Sequence, residues 1–486
     1  MLASFIPTSV EYLRIMPEII LTLAAVLIMF LEAAMKPGRK PVMQWIAIGS
    51  LLLAIGHSLH SPEGMAFQGM LAVDGMANFF KTLVMVAGLL VILGSADYLQ
   101  RENAEASEYY ALVLFSIVGQ CIMASANELI MIFIGLEISS IATYILAGFL
   151  RDDSRNNESA LKYFLLGSFA TAFLLYGVAW MYGATGSTNL GDIHAFARDA
   201  GIAQNPLGIP LMGIAAALIF VGLAFKLSAA PFQGWAPDVY QGAPAPVSGF
   251  MTVGPKAAAF AVLIRIFTIG LGPISDRWLP IVWGCALATM LVGNLAALKQ
   301  TNIKRMLAYS SIAHAGYVLV AVAANSGTGS AAAMFYLAAY AFTNIGAFTV
   351  VAHFARKGEK YVAIEDFAGL SQKQPVMAAM MTVFLLSLIG VPLTGGFFGK
   401  FYIFKAALDS NLVWLTVLGL LNSAIAAYYY LRILVVMYMK EPGESTDNLP
   451  VASPMLQLAI YGSAIMTLVL GIMPGWVLDF ATRAAR

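Results

Sequence analysis

The sequence predicts an all-α polytopic membrane protein of about fourteen transmembrane helices, with two inverted five-helix repeats (spans 4–8 and 9–13), each containing a broken helix. Three observations lead there. Of 486 residues, 60% are hydrophobic and 11% are charged, where an ordinary soluble domain carries roughly 25% charged residues. Apolar stretches of membrane-spanning length, about 20 residues, recur along the whole chain. Short sequence markers also recur in the same order in its two halves.

The apolar windows fall near residues 12–35, 42–60, 75–98, 108–125, 127–149, 159–183, 207–240, 244–271, 277–298, 304–324, 331–355, 375–408, 411–439 and 453–481. They are divided by polar or Pro/Gly punctuation. One membrane domain, 1–486, is expected: three N-terminal helices in 1–107, the first repeat in 108–271, the second in 277–440 and a last helix in 441–486. The first span is too long for the apolar core of a signal peptide and reads as a retained helix. Segments 207–240 and 375–408 exceed one simple span and contain Pro231 and Pro237, and Pro392. Proline inside a helix removes a hydrogen bond and clashes with the preceding turn, so both segments read as broken helices.

Loop charges orient the bundle. Connections after odd-numbered spans carry Lys36, Arg39, Lys40, Arg101, Arg151, Arg155, Lys299, Lys304, Arg305, Arg356, Lys357, Lys360, Lys373 and Lys440, whereas the opposite side has Arg14, Arg198, Arg277, Arg483 and Arg486. Basic residues favour the cytoplasmic side. Both termini are therefore expected on the non-cytoplasmic side of the membrane.

The repeat rests on three markers. "SSIA" at Ser139–Ala142 returns at Ser310–Ala313, 171 residues later, and Tyr163-Phe164-Leu165 has an echo in Phe335-Tyr336-Leu337, 172 residues later. Pro231 and Pro392 follow at an offset of 161. Five spans per unit turn the second copy upside down. Inverted repeats with broken helices are a transporter architecture, because irregular backbone at membrane depth is tolerated where it lines a cavity.

Several chemistries are excluded. Net charge is +1, from 27 basic and 26 acidic residues, with no long basic tract for nucleic acid. Lipid and apolar protein surfaces are the expected partners. Cys121 and Cys285 form no CxxC or Cys/His cluster for zinc or iron–sulfur. "GVPLTGGFFGKF" (390–401) superficially suggests a phosphate loop, but Phe401 stands where the hydroxyl belongs and the first glycine of the motif is missing.

Charges inside spans remain to be explained: Glu137 in "IFIGLEISSIA", Lys162 in "ALKYFLLG", Lys226 in "VGLAFKLSAAP", Lys256 in "TVGPKAAAFAV", and Lys400. A central lysine costs roughly 2.5–3.5 kcal/mol on insertion scales, and each Leu, Ile, Phe or Val returns only about 0.3–0.6. Snorkelling or structural pairing is one explanation, with most force for Lys162 near its span end. The other is proton transfer. Burial disfavours a charged form and an opposite charge restores it, so a lysine that gains or loses a carboxylate partner changes protonation. Glu137 and Lys226 are expected to form such a pair. Pro255 removes a backbone donor beside Lys256. His314 is either a satisfied buried histidine or a relay member. Ser139, Ser140, Ser228, Thr252, Ser310, Ser311 and Thr394 offer links or ordinary packing. Arg265, Lys304, Arg305 and Arg432, nearer span ends, are expected to anchor or pack.

"FKLSAAPFQGWAPDVYQGAPAPVSGF" (225–250), "QTNIKRMLAYSSIAHAGYVLVA" (300–321) and "SLIGVPLTGGFFGKFYIF" (387–404) closely resemble the subunit N family of proton-translocating NADH–quinone oxidoreductase, respiratory complex I. The resemblance covers nearly the whole chain. It implies a membrane-arm subunit with no bound prosthetic group, partnered by other antiporter-like and small subunits, in an enzyme that uses FMN, iron–sulfur clusters, NADH and quinone in other subunits. It places the family's relay on Glu137, Lys226, Lys256 and Lys400, and its sixth-helix lysine on Lys162. Two other readings stay open on the residues: a subunit of a multisubunit sodium/proton antiporter, or a structural membrane-arm subunit that moves no protons.

Overall fold

The structure is a computed structural model that describes residues 7–34, 41–104, 107–200, 208–447 and 449–485. Lys36, Arg39, Lys40 and Arg486, used to orient the bundle, lie outside the described residues. Twelve described helices are long and apolar enough to cross a membrane, and Val42–Ser58 and Pro375–Ile389 are shorter apolar helices. Each of the fourteen windows therefore holds one. Between spans 2 and 3 the chain adds a small antiparallel hairpin, Gly64–Ala66 with Leu71–Val73, too short and too local to register in a span-length pattern. The last window divides into Pro454–Ile472 and a separate helix Gly475–Ala484.

Both long segments are broken. Span 7 runs Gly208–Leu227 and resumes as Trp235–Gly242, and span 12 runs Pro375–Ile389 and resumes as Gly395–Asp409. Pro231 and Pro392 lie in the breaks. Pro237 does not, because it sits in the first turn of the second piece, where a missing N–H costs nothing. The breaks use left-handed backbone at Ser228 (φ 58°) in one and at Gly390 (φ 93°) and Leu393 (φ 72°) in the other.

The repeats share a register of 174 residues through spans 4–6 and 9–11. Leu129 N donates to Thr188 O and Leu190 N to Asn127 O; Ile303 N donates to Val362 O and Ile364 N to Thr301 O. A Cβ on Gly119 would lie 2.5 Å from Ser139 N, and one on Gly293 would lie 2.5 Å from Ala313 N. Glycine is thus required at the same backbone crossing in both halves. The "SSIA" match, at 171, is one helical turn out of this register and does not align equivalent positions.

Inversion is visible against span 3, Gly75–Arg101, about 40 Å long at 1.5 Å per residue. The first of these pairings sits at its start, where Leu71 bridges Ala126. The second sits at its end, where Gly358 N donates to Glu102 and Tyr98 Oη to Glu359 Oε1 at 2.8 Å. Span 8, Ala245–Ile264, is buried along its whole length and forms the middle of the bundle.

Candidate functional site

The broken helices and the buried span 8 set three lysines in the interior. Lys226, Lys256 and Lys400 are 6%, 3% and 6% exposed. Lys226 ends the first piece of span 7. Its Nζ reaches the Tyr144 hydroxyl at 3.4 Å and faces the rings of Tyr144 and Tyr163, each 5.1 Å to the centroid. The expected ion pair with Glu137 is not made. Glu137 Oε1 is buried without a hydrogen-bond partner, and Tyr144, two turns further along the same helix, takes the lysine instead. Aromatic faces attract a cation while tolerating an apolar surrounding.

Lys256 lies on span 8 one residue after Pro255. The proline cannot bond the Met251 carbonyl, and the Tyr240 hydroxyl takes that acceptor at 3.4 Å. Lys256 Nζ donates to Ser311 Oγ at 3.0 Å and Ser311 O at 3.2 Å, with the Tyr240 ring 5.7 Å away. From Lys226 to Lys256 the intervening groups are rings: Tyr163 stacks on Trp235 at 4.6 Å, and Trp235 meets Tyr240 edge-on at 5.5 Å.

On the far side of span 8 the connections are hydrogen bonds. His314 Nδ1 lies 2.6 Å from Tyr336 Oη and Nε2 3.1 Å from Tyr430 Oη, which also bonds Ser310. One imidazole is held at both nitrogens. Lys400 Nζ donates to Leu388 O (3.0 Å), Ile389 O (2.8 Å) and Ser423 Oγ (2.8 Å), and sits 4.9 Å from the Tyr317 ring centroid. Leu388 and Ile389 end the first piece of span 12, so their carbonyls have no partner within the helix. The lysine inside the glycine-rich stretch supplies both with a donor. Gly390 lets it pass, since a Cβ there would lie 3.1 Å from Lys400 Cδ.

Lys162 lies apart from this line. It is 40% exposed and pairs with Glu158 at 2.7 Å and Asp238 at 2.9 Å. Arg305 joins the same Asp238 at 2.7 Å. Together they border a cavity of about 260 Å³ that also reaches Glu359. Of the candidate hydroxyls, Ser140, Thr252 and Thr394 donate to carbonyls of their own local turns, and Thr252 also accepts from Asn344 Nδ2 on span 11 at 2.6 Å. Ser139 bonds Ser116 at 3.1 Å and Ser228 Oγ is buried without a partner. Ser310 and Ser311 join the site.

Sequence reasoning missed the tyrosines that touch Lys226, Lys256, His314 and Lys400: Tyr144, Tyr163, Tyr240, Tyr317, Tyr336 and Tyr430. It also missed a buried pair, Lys81 with Glu18 at 2.6 Å, between spans 3 and 1. "NFFKTLVM" and "MPEIILTL" carry the same signal as the other buried charges. The anchoring expected of Lys304 is stronger than that of a rim residue. It is fully buried, donates to Glu359 at 2.5 Å and to Ala243 O at 2.6 Å, while Glu359 Oε1 accepts from Ala245 N at 2.7 Å, the start of span 8. Arg265 pairs with Asp74 through two 2.9 Å bonds, and Arg432 bonds Leu298 O and Gln300 O. Among the described residues, no group of three or more His, Cys, Asp or Glu is placed to hold a metal ion.

Inverted broken-helix repeats around buried lysines define an antiporter-like membrane subunit, and the family described as "NADH:quinone oxidoreductase/Mrp antiporter, TM" matches residues 126–426. Within that class the chain belongs to the NADH-quinone oxidoreductase subunit N family. It is 62% identical to "NADH-quinone oxidoreductase subunit N 1" of Solibacter usitatus, over 98% of this chain and 97% of that one. Among solved structures it is similar to a chain of respiratory complex I from Thermus thermophilus with bound aureothin, at 35% identity and TM-score 0.81, covering 96% of this chain and 99% of that one. A chain of the Mrp complex from Dietzia shares the fold, at 20% identity and TM-score 0.84, covering 98% of this chain and 97% of that one.

Proposed function

We propose that this chain carries protons across the membrane along Glu137, Lys226, Lys256, His314 and Lys400, with Lys162 at the mouth of the path. It would do so as a membrane-arm subunit of an NADH–quinone oxidoreductase in a bacterial cytoplasmic membrane. Other subunits, with FMN and iron–sulfur clusters, would oxidise NADH and reduce quinone, and other antiporter-like and small subunits would be its neighbours. Residues 108–271 and 277–440 are the two transport units, and both termini face the non-cytoplasmic side.

One observation carries the reading. Three lysines are buried with their amines on hydroxyls, carbonyls and aromatic faces instead of carboxylates. A lysine held for structure is expected to be paired, because an isolated buried ion is costly. Held by neutral groups, an amine can lose and regain a proton without breaking an ion pair. Similarity to subunit N relatives supports the redox-driven assembly over a sodium/proton antiporter. The test is proton pumping per NADH oxidised by the assembled complex carrying Lys226→Met, Lys256→Met or Lys400→Met. Loss of pumping in complexes that assemble is expected. Wild-type pumping in all three would leave a structural membrane-arm subunit as the reading.

A further inference from the structure

The start of span 8 is held by an ion pair from elsewhere in the chain. Its first residue, Ala245, follows Pro244, whose side chain makes no capping bond. The Ala245 amide is taken instead by a carboxylate 114 residues later: Glu359 Oε1 accepts from Ala245 N at 2.7 Å and from Tyr98 Oη at 2.8 Å. Glu359 Oε2 pairs with Lys304 Nζ at 2.5 Å, and the same amine donates to Ala243 O at 2.6 Å. The lysine thus holds the carbonyl before Pro244 and the glutamate holds the amide after it. A carboxylate suits this end of a helix, where the backbone dipole favours negative charge.

The loop that carries Glu359 is strained. Arg356 (φ 59°), Gly358 (φ 68°) and Glu359 (φ 50°) are all left-handed, two of them without glycine's freedom. Neighbours hold it so: Gly358 N donates to both oxygens of Glu102 at 3.0 and 2.9 Å, and Gly358 O accepts from Arg155 Nη2 at 2.9 Å. Backbone of this kind persists where its surroundings over-determine it, and it gathers at functional sites.

Span 10, Ile303–Ala323, meets span 8 through hydrogen bonds at two levels. Lys304 bonds at the start, and Ser311, further along span 10, accepts from Lys256 Nζ with both its hydroxyl and its carbonyl. Pro255 interrupts the helix bonding of span 8 just before Lys256, so helix stiffness alone does not align the second contact. We propose that Glu359 is a positioning residue for proton transfer: by holding Ala245 N and Lys304 together it fixes span 8 against span 10 and keeps the Lys256 amine on Ser311. No proton passes through Glu359 in this role. The inference rests on the proton-path reading above and adds to it a residue outside the path.

Two substitutions in the assembled complex separate grip from charge. Glu359→Asp keeps the charge that compensates Lys304 but shortens the side chain by one carbon–carbon bond, about 1.5 Å, and cannot hold both partners. It should assemble and dissociate thermally like wild type, yet pump roughly tenfold more slowly, since about 1 Å of misplacement at a transfer site costs up to about 100-fold. A cryo-electron microscopy map of this variant should show Lys256 displaced from Ser311. Glu359→Gln keeps the acceptor for Ala245 N and leaves Lys304 without its counter-charge, so its dissociation temperature should fall while the pumping rate per assembled complex stays near wild type. If it does not assemble, adding Lys304→Met removes the unpaired cation and keeps the acceptor, and near wild-type pumping is expected of the double variant. A pair that serves stability alone would give the opposite pattern, with Glu359→Asp close to wild type in pumping and in the Lys256–Ser311 contact, and that result overturns the proposal. Loss of pumping in an assembled Glu359→Gln complex also overturns it, because it would make the carboxylate a carrier. Lys256→Met separates the two readings: if it pumps normally the path itself has failed, and if it is inactive while Glu359→Asp is normal only the positioning role has failed.

Discussion

In span 7 the Phe225 carbonyl, near the end of the first half-helix, is bonded by the indole of Trp235 at 3.0 Å and by Ser228 N at 2.9 Å. In span 12 the carbonyls of Leu388 and Ile389 are bonded by the ammonium of Lys400. A side chain from the second half-helix satisfies the first in both cases, but a neutral ring does it in one repeat and a titratable amine in the other. Lys226 is consequently free of any structural task at its break. Its amine has one long contact to a hydroxyl and two aromatic faces. Lys400 has three close acceptors and sits at a helix C-terminus, where the backbone dipole favours a cation. The repeat has thus given one lysine room to move and fixed the other. The same asymmetry continues inward, with rings between Lys226 and Lys256, and beyond span 8 two separate hydrogen-bonded groups, Ser310–Tyr430–His314–Tyr336 and Lys400 with Ser423.

The largest consequence is in stability. Lys400→Met should leave two carbonyls and the Ser423 hydroxyl without their donor, and each unsatisfied buried group costs about 1–3 kcal/mol. Removing the lysine's own insertion cost offsets part of this. Lys226→Met removes one weak contact and should cost nothing measurable. Thermal dissociation of the two variant complexes, followed on native gels, should place Lys400→Met well below Lys226→Met while both lose pumping. Equal stability would mean that the carbonyls of Leu388 and Ile389 find water, and the contrast between tethered and free lysine would go.

A smaller effect is expected at the helix breaks. Gly390→Ala forces a Cβ into left-handed backbone at φ 93°, a penalty of about 1–2 kcal/mol. It also presses on Lys400 Cδ at 3.1 Å. Ser228 already pays that penalty, so Ser228→Gly should be neutral or slightly stabilising. The pair is read by the same dissociation temperature, and a fall for Ser228→Gly as large as that for Gly390→Ala would show that the unpartnered Ser228 hydroxyl has a bond in the assembled complex.

The sequence made the lysines visible because a charge in an apolar span opposes insertion and needs a reason. Broken helices were visible through length and proline. The partners were not. Tyr336 and Tyr430 read as ordinary apolar content, and nothing in local spacing says that they close on His314 from 22 and 116 residues away. Nor does spacing predict that Tyr144 would take Lys226 from Glu137, since both lie on one helix within reach. The repeat was visible, yet its register was not, because "SSIA" matched one turn away from the backbone contacts that define it. Under the 174-residue register, Glu137 corresponds to Ser311, Ser140 to His314 and Lys162 to Tyr336. The side chains at these positions differ between the halves, whereas the glycine crossings at Gly119 and Gly293 are common to both.

That correspondence sharpens the status of Lys162. Its counterpart Tyr336 is buried and bonds His314, whereas Lys162 is partly exposed and shares the Asp238 carboxylate with the Arg305 guanidinium at the edge of a cavity. Exposed pairs of this kind contribute little, since water screens them and long side chains lose freedom in making them. Lys162→Gln should therefore assemble normally and retain near wild-type pumping, the smallest effect of the set. Asp238 keeps its bond to Arg305 in that variant, so the mouth of the cavity keeps its shape. The measurement is pumping per NADH at two ionic strengths in the assembled complex. If the charge only gathers protons from solution, any deficit should appear at low salt and shrink as salt screens the mouth. A salt-independent loss equal to that of Lys226→Met would make Lys162 an obligatory carrier, and the first repeat would then have its own counterpart to the tethered lysine of the second.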